Sequence, residues 1–327
     1  MNKDIISLSH GNGGKNSRAL IEEIFLSKFG ATNNQIPNDA ASIVCDTRMM
    51  VTTDGFTVDP LFFPGGDIGK LSICGTVNDL VVSGALPQYL TCSFLIEEGF
   101  KVSDLSLIAQ SMATTAKENN VQIVTGDTKV LPRGNVSGVY ISTTGIGTVL
   151  RNDLSTDNIQ AGDNVFITGS IGDHGAAVML AREEYGLSSN LASDCASVLK
   201  LGAELIEIPE IKFMRDPTRG GLATVCHEII SNTQLGIKLL EDNIPIKKEV
   251  TTFCDILGFS PYYLASEGRI IFVADAKWQP DPVFLKQNDI HEIGLVSSDH
   301  SNLLLQTSLG GSRFIPELDD SPFPRIC

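Results

Sequence analysis

Between residues 67 and 85 the chain is apolar at Ile68, Leu71, Ile73, Cys74, Val77, Leu80, Val81 and Val82, with a thin polar stripe of Ser72, Thr76, Asp79 and Ser83. The stripe recurs at intervals of four, three and four residues, which places it on one face of an α-helix. A helix apolar nearly all round is buried, and its polar seam lines something. Ahead of it, Val51-Thr52-Thr53 reads as a short strand ending at Asp54-Gly55, and Gly65-Gly66 closes a loop before the helix. A second helix is predicted over 104–119, with Leu105, Ile108, Met112 and Ala116 on one face and Ser103 as N-cap. Strands are predicted at 121–124, stopping at Gly126-Asp127, and at 139–144; residues 151–161 are polar enough for a linker.

The second half repeats the alternation. A strand at 164–168 leads through a Gly-rich turn to a helix over 174–184. Asp216-Pro217-Thr218-Arg219-Gly220-Gly221 reads as an N-cap and N1 proline opening a helix with Leu222, Val225, Cys226, Ile229 and Ile230 on its apolar face. Strands follow at 269–274 and 302–307. Strands alternating with helices in each half predict two α/β (α+β) domains, 1–155 and 156–315. Residues 316–327 form a proline-rich acidic tail that, extended, spans about 40 Å.

At 327 residues the chain has room for two cores. A net charge of −15 repels polyanions, which argues against nucleic acid or an anionic membrane as partner; a nucleotide would need local cations or helix N-termini. The seven cysteines are dispersed and form no CxxC pair, which disfavours a disulfide framework or a zinc site. Six lie in apolar stretches as buried thiols, whereas Cys327 is the last residue. Neither a leader-like apolar run nor a stretch of spanning length occurs, so the cytoplasm is the expected compartment.

Five aspartates stand at predicted strand ends, helix starts or the polar seam: Asp39, Asp54, Asp79, Asp127 and Asp216. Aspartate favours turns and caps in any case, so one alone carries no weight. As a set, with Asp79 inside an apolar helix, they suit Mg²⁺ and a nucleotide, since hard cations take carboxylate and phosphate oxygens. His10-Gly11-Asn12-Gly13-Gly14-Lys15 offers backbone amides and a lysine to phosphate, and 216–221 offers a second helix N-terminus with Arg219 in its first turn; plain capping explains the latter equally well. Lys129 lies beyond a predicted strand end. Glu267 stands between Tyr262-Tyr263-Leu264 and an apolar strand, either as a base with a raised pKa or as a surface turn residue. His174 reads as structural.

Together, His10 to Lys15, Thr53-Asp54, the run 59–66, Gly75-Thr76-Val77-Asn78-Asp79, Gly126 to Lys129, Gly172 to Gly175, Arg215 to Gly221 and Pro324-Arg325-Ile326-Cys327 resemble the HypE family of hydrogenase maturation. That family belongs to the superfamily of aminoimidazole ribonucleotide synthetase, selenophosphate synthetase and thiamine monophosphate kinase. Most of these segments are superfamily signals; the terminal Pro-Arg-Ile-Cys is specific to the family. The resemblance implies a two-domain synthetase-like fold and a homodimer whose N-terminal sheets join in a barrel, with ATP near the subunit contact. It implies that a carbamoyltransferase, HypF, loads Cys327, that ATP drives dehydration of the carbamoyl group to a thiocyanate, and that the cyano group passes to iron on a HypC–HypD complex. On that reading Asp39, Asp54 and Asp79 hold Mg²⁺, with Asp127, Asp216, Arg219, Gly13, Gly14 and Lys15 around the nucleotide, and Glu267 and Lys129 handle protons. A small-molecule kinase or synthetase of the same fold, and a non-catalytic docking subunit, are the alternatives.

Overall fold

In a computed structural model the described residues are 5–7, 20–29, 47–182 and 186–317. Gly13, Gly14, Lys15, Asp39 and Cys327, with most of the tail, lie outside them.

The first sheet has the order β1–β6–β4–β5, built from β1 (Met49–Phe56), β4 (Ala85–Glu97), β5 (Gln122–Leu131) and β6 (Val139–Val149). A small hairpin, β2 (Phe62–Phe63) and β3 (Gly66–Asp67), leads into helix α1 (Ile68–Val82). One face of the sheet alternates Leu90, Cys92, Phe94 and Ile96 on β4 with Ile141 and Thr143 on β6, all buried, and α1 lies across it. The polar seam of α1 meets this face: Thr76 and Thr143 share a hydroxyl–hydroxyl hydrogen bond, and Thr143 also donates to the Ser72 carbonyl at 3.3 Å. Asp67 caps α1 by accepting from the Gly69 and Lys70 amides, and its second oxygen accepts from Ser111 of α2 (Val102–Glu118) at 2.6 Å.

Predicted boundaries move. β1 runs past Asp54-Gly55 to Phe56. α2 begins two residues earlier than predicted, behind Lys101, and the Ser103 hydroxyl bonds to Asp104 instead of capping. Gly126-Asp127 does not end β5. Parallel pairing with β4, a strand not foreseen, carries β5 to Leu131, so Lys129 lies within a strand.

The second sheet has the order β13–β12–β9–β11–β7–β10–β8. Its strands are β7 (Asn164–Thr168), β8 (Ile211–Arg215), β9 (Gly236–Leu240), β10 (Ile271–Ala274), β11 (Ile290–Ser297), β12 (Leu303–Gln306) and β13 (Ser312–Phe314). Two helices, α3 (Asp173–Ala181) and α4 (Leu199–Ile206), come before β8 in the chain, and α5 (Gly221–Thr233) follows it. Val165, Ile167, Ile271 and Val273 pack under α5 in a core of their own. Phe166, Ile270 and Phe272 point the other way and join Leu71, Val77 and Val81 of α1 in a core that runs unbroken from one sheet to the other. Gly202 of α4 sits where any Cβ would collide with Val81, so the second sheet's layer closes directly onto α1. The fold is thus two-layered on both sides of one shared helix. Among the described residues neither sheet closes on itself into a barrel, and no helix is long and apolar enough to cross a membrane.

Candidate active site between the two sheets

Strand alternation places Thr52, Asp54 and Phe56 on the face of β1 turned toward α1; Phe56 is buried there, and the Thr52 hydroxyl donates to Asp79 Oδ2 at 2.9 Å. From the other side β8 ends at Arg215 and delivers Asp216. Sequence spacing predicts Asp216 as a helix N-cap, but α5 starts five residues later, behind Gly220. Gly220 and Gly221 both take positive φ, and a side chain on Gly221 would strike the Leu264 and Tyr262 carbonyls. Freed from capping, Asp216 turns inward and lies 7% exposed.

Three carboxylates from β1, α1 and the β8–α5 loop thereby act on one another. Burial, followed by the charges of Asp79 and Asp54, pushes Asp216 up to about 7. Asp79 is raised as well, chiefly by burial, with the Thr52 hydrogen bond opposing and the Asp54 charge adding. Neighbouring cations relieve this only weakly. Arg219 stands 3.8 Å from Asp54 but is 77% exposed, and Arg215 pairs with Glu228 at 3.1 Å. Among the described residues no three acidic, histidine or cysteine groups stand close enough to cage an ion alone. The donor set fits a hard cation that draws its remaining oxygens from phosphate and water, as Mg²⁺ usually does.

Glu267 is not a surface turn residue; it is buried at 3% exposure on the far side of α1. Its N–H donates to Asp194 Oδ1 at 3.2 Å, and its carbonyl accepts from Nδ2 of Asn78, the neighbour of Asp79, at 3.2 Å. Its charge adds to the rise of the Cys195 thiol, behind the contact with Cys74 of α1 and burial. The preceding Ser266 N–H donates to the Pro217 carbonyl at 3.0 Å, so the Glu267 and Asp216 loops are tied together.

A second acidic cluster lies beneath Glu267. Asp173 Oδ2 accepts from Ser170 at 2.6 Å and pairs with Lys247 at 2.7 Å and Arg269 at 3.4 Å. Arg269 also stands 3.3 Å from Asp194, whose carboxyl burial raises to about 6 against the pull of that guanidinium. His174, next to Asp173, is buried against Ser193 at 2.8 Å and pushed down to about 3 by burial, a neutral structural imidazole.

Asp127 and Lys129 do not join this site within one chain. In the β4–β5 register they pair with Ser93 and Leu95, whose side chains point away from α1, and both are exposed on the outer face of the sheet. Sequence reading missed Asn78, Asp173 and Asp194. The available signal was polarity inside otherwise apolar runs, at Asn78 beside Asp79 and at Asp173 beside His174.

Comparison with known proteins places the chain in a family. Residues 37–149 match the AIR synthase related protein N-terminal domain, and residues 160–301 match its C-terminal domain. The chain therefore belongs to the AIR synthase-related proteins, with both the N-terminal and the C-terminal domain of that family. Within that class it is 42% identical to the carbamoyl dehydratase HypE of Bradyrhizobium diazoefficiens, over 98% of this chain and 96% of the relative. A solved structure of the hydrogenase maturation protein HypE in complex with ATP superimposes with a TM-score of 0.90 at 38% identity, covering 98% of this chain and 99% of the other. A HypE–HypF complex aligns with a TM-score of 0.79 at 41% identity, over 92% of this chain and all of that one. The chain is a member of the HypE family.

Proposed function

We propose that the chain dehydrates a carbamoyl group carried on Cys327 to a thiocyanate at the expense of ATP, supplying the cyano ligand of a NiFe hydrogenase. The observation that carries this reading is the set of under-neutralised carboxylates Asp54, Asp79 and Asp216 acting on one another at one face of α1, with Glu267 buried and held by Asn78 round the same helix. The HypE bound to ATP supports nucleotide binding, and the HypE–HypF complex supports HypF as the enzyme that loads the thiol. Transfer onward to iron on a HypC–HypD complex belongs to the same reading.

Asp54, Asp79 and Asp216 would hold Mg²⁺, whose role when bound is to align the γ-phosphate and offset its charge. The family reading adds Asp39, and adds Gly13, Gly14 and Lys15 around the phosphates. The thiocarbamate oxygen is too poor a leaving group at neutral pH, so it first attacks the γ-phosphorus and ADP departs. Loss of the nitrogen protons then expels phosphate and leaves S–C≡N. Glu267, enclosed against apolar surface, takes a nitrogen proton. The described chain is tethered at its end: Tyr263 donates to the Pro316 carbonyl at 2.6 Å, and His227 Nε2 lies 3.1 Å from the Ile315 carbonyl. The eleven residues from there to Cys327 reach at most about 40 Å.

The outer face of the first sheet leaves Val51 65% exposed on β1 and, beside Lys129, Leu95 38% exposed on β4. Joining this face to that of a second copy in a homodimeric barrel would cover it and bring Lys129 and Asp127 to the subunit contact, from which Lys129 would help Glu267 remove the nitrogen protons.

Mass spectrometry of the C-terminal peptide tests the function. With HypF and its substrates the peptide should gain one carbamoyl group, and with ATP it should then lose one water; Cys327→Ala should do neither while still binding ATP. An adduct on another cysteine, or one that persists without dehydration, overturns the reading.

A further inference from the structure

Asn78 and Asp79 are consecutive on α1, and the helix turns them about 100° apart. Asp79 faces Thr52 and Asp54, whereas Asn78, 1% exposed, faces the loops of the second half. Its side chain is fully committed there. Nδ2 donates to the Glu267 carbonyl at 3.2 Å and to the Ala196 carbonyl at 3.0 Å, and Oδ1 accepts from the Val198 amide at 2.8 Å. Three bonds fix the plane of the amide and settle which atom is oxygen, because both carbonyls need a donor and the amide needs an acceptor. The Glu267 peptide is consequently gripped at both ends, by Asn78 on its carbonyl and by Asp194 on its N–H.

We infer that Asn78 is a positioning residue that sets the Glu267 carboxylate in register with the nucleotide site on Asp79. The inference rests on the reading of Glu267 as the base. α1 is itself fastened to the first sheet through Thr76–Thr143 and Asp79–Thr52, so the chain of contacts runs from β1 through two adjacent residues of one helix to the Glu267 backbone. No other small side chain meets the requirement. Aspartate would set a charged oxygen against two carbonyls, alanine would leave the Ala196 carbonyl without its donor and the Val198 N–H without its acceptor, and glutamine is one methylene too long.

The test is single-turnover dehydration by the full-length chain after carbamoylation, followed by tail-peptide mass from pH 6 to 9, with ATP affinity measured on the uncharged chain. Asn78→Asp should slow dehydration about 100-fold at pH 9, the usual scale for a misplaced catalytic group, while ATP affinity stays within about threefold. The deficit should narrow toward pH 6, because protonation of the new carboxyl restores one donor; a merely structural defect would not recover in this way. Asn78→Ser, which leaves room for a bridging water, carries the same comparison if Asn78→Asp does not fold, with a loss of about tenfold. A dehydration rate equal to the parent's overturns the inference, and so does an equal loss of ATP affinity, since Asn78 would then serve Asp79 alone. Glu267→Gln separates the two readings. If it dehydrates normally the base assignment fails, and if it is inactive while both Asn78 variants are normal only the positioning role fails.

Discussion

Two buried acidic clusters flank α1, and they are built on opposite principles. Asp173 and Asp194 lie at 0% side-chain exposure, yet each has a fixed cation: Lys247 and Arg269 on the first, Arg269 on the second. Gly169, at φ 73°, leaves the space the Arg269 guanidinium occupies, and the Ser170 carbonyl accepts from its Nε at 2.9 Å. Asp216 is nearly as enclosed and Asp79 is partly so, but their nearest guanidiniums are exposed or already paired. The contrast teaches that burying carboxylates is not itself a mark of function. The first cluster carries its counter-charges within the fold, although burial still raises the Asp194 carboxyl to about 6. The second carries uncompensated charge, which only a proton or an added cation relieves, and that makes it the better candidate for a ligand site.

The largest effect should come from breaking the closed cluster. Arg269→Met removes the cation shared by Asp173 and Asp194 and leaves Asp194 without a counter-charge, which should cost about 3–5 kcal/mol of stability. Urea denaturation measures it; a loss below about 1 kcal/mol would mean that the two clusters do not differ as described. A smaller effect of another kind is expected from the open cluster. Asp79→Asn keeps the side-chain shape and the hydrogen bond from Thr52 while deleting one charge, so melting should change little while ATP turnover falls about 100-fold, or about 2.7 kcal/mol. Retained turnover at saturating Mg²⁺ would remove Asp79 from the nucleotide site.

Much of this was legible along the chain, for reasons that can be named. The buried α1 and its seam follow from hydrophobic periodicity; Asp54 stands out at a predicted strand end before Gly55, and Asp79 because a carboxylate interrupts an apolar helix. Asp216 was recognised for the wrong local reason. Its Asp-Pro start imitates a helix cap, and only the positive φ of Gly220 and the close approach of Gly221 to Leu264 move the helix onset to Gly221. β4 went unseen, and Lys129 was set beyond a strand end, because pairing between distant segments decides where β5 stops. The Asn78–Glu267 contact joins residues 189 apart, and no local pattern encodes such a pairing.

The remaining prediction sharpens the comparison most directly, because it asks whether the open cluster is destabilising when empty. Asp216 ionises near 3.8 when unfolded but at about 7 when folded. As pH rises between those values the unfolded chain gives up the proton while the folded one retains it, so the contribution of this group to stability declines with rising pH. The decline is complete above about pH 7, and below about pH 4 the group costs nothing. A displacement of this size nominally corresponds to about 4 kcal/mol, and allowing for the amide's own burial cost, Asp216→Asn should stabilise the nucleotide-free protein by about 2 kcal/mol at pH 8 and by nearly nothing at pH 4. Thermal melts across that range measure the difference. Adding Mg²⁺ and ATP should reverse the order at pH 8, because the parent's carboxylate then meets the cation it lacked and gains the binding free energy that the variant forgoes. If the variant melts no higher than the parent without ligand, Asp216 is already compensated within the fold, and the distinction between the two clusters fails on that side.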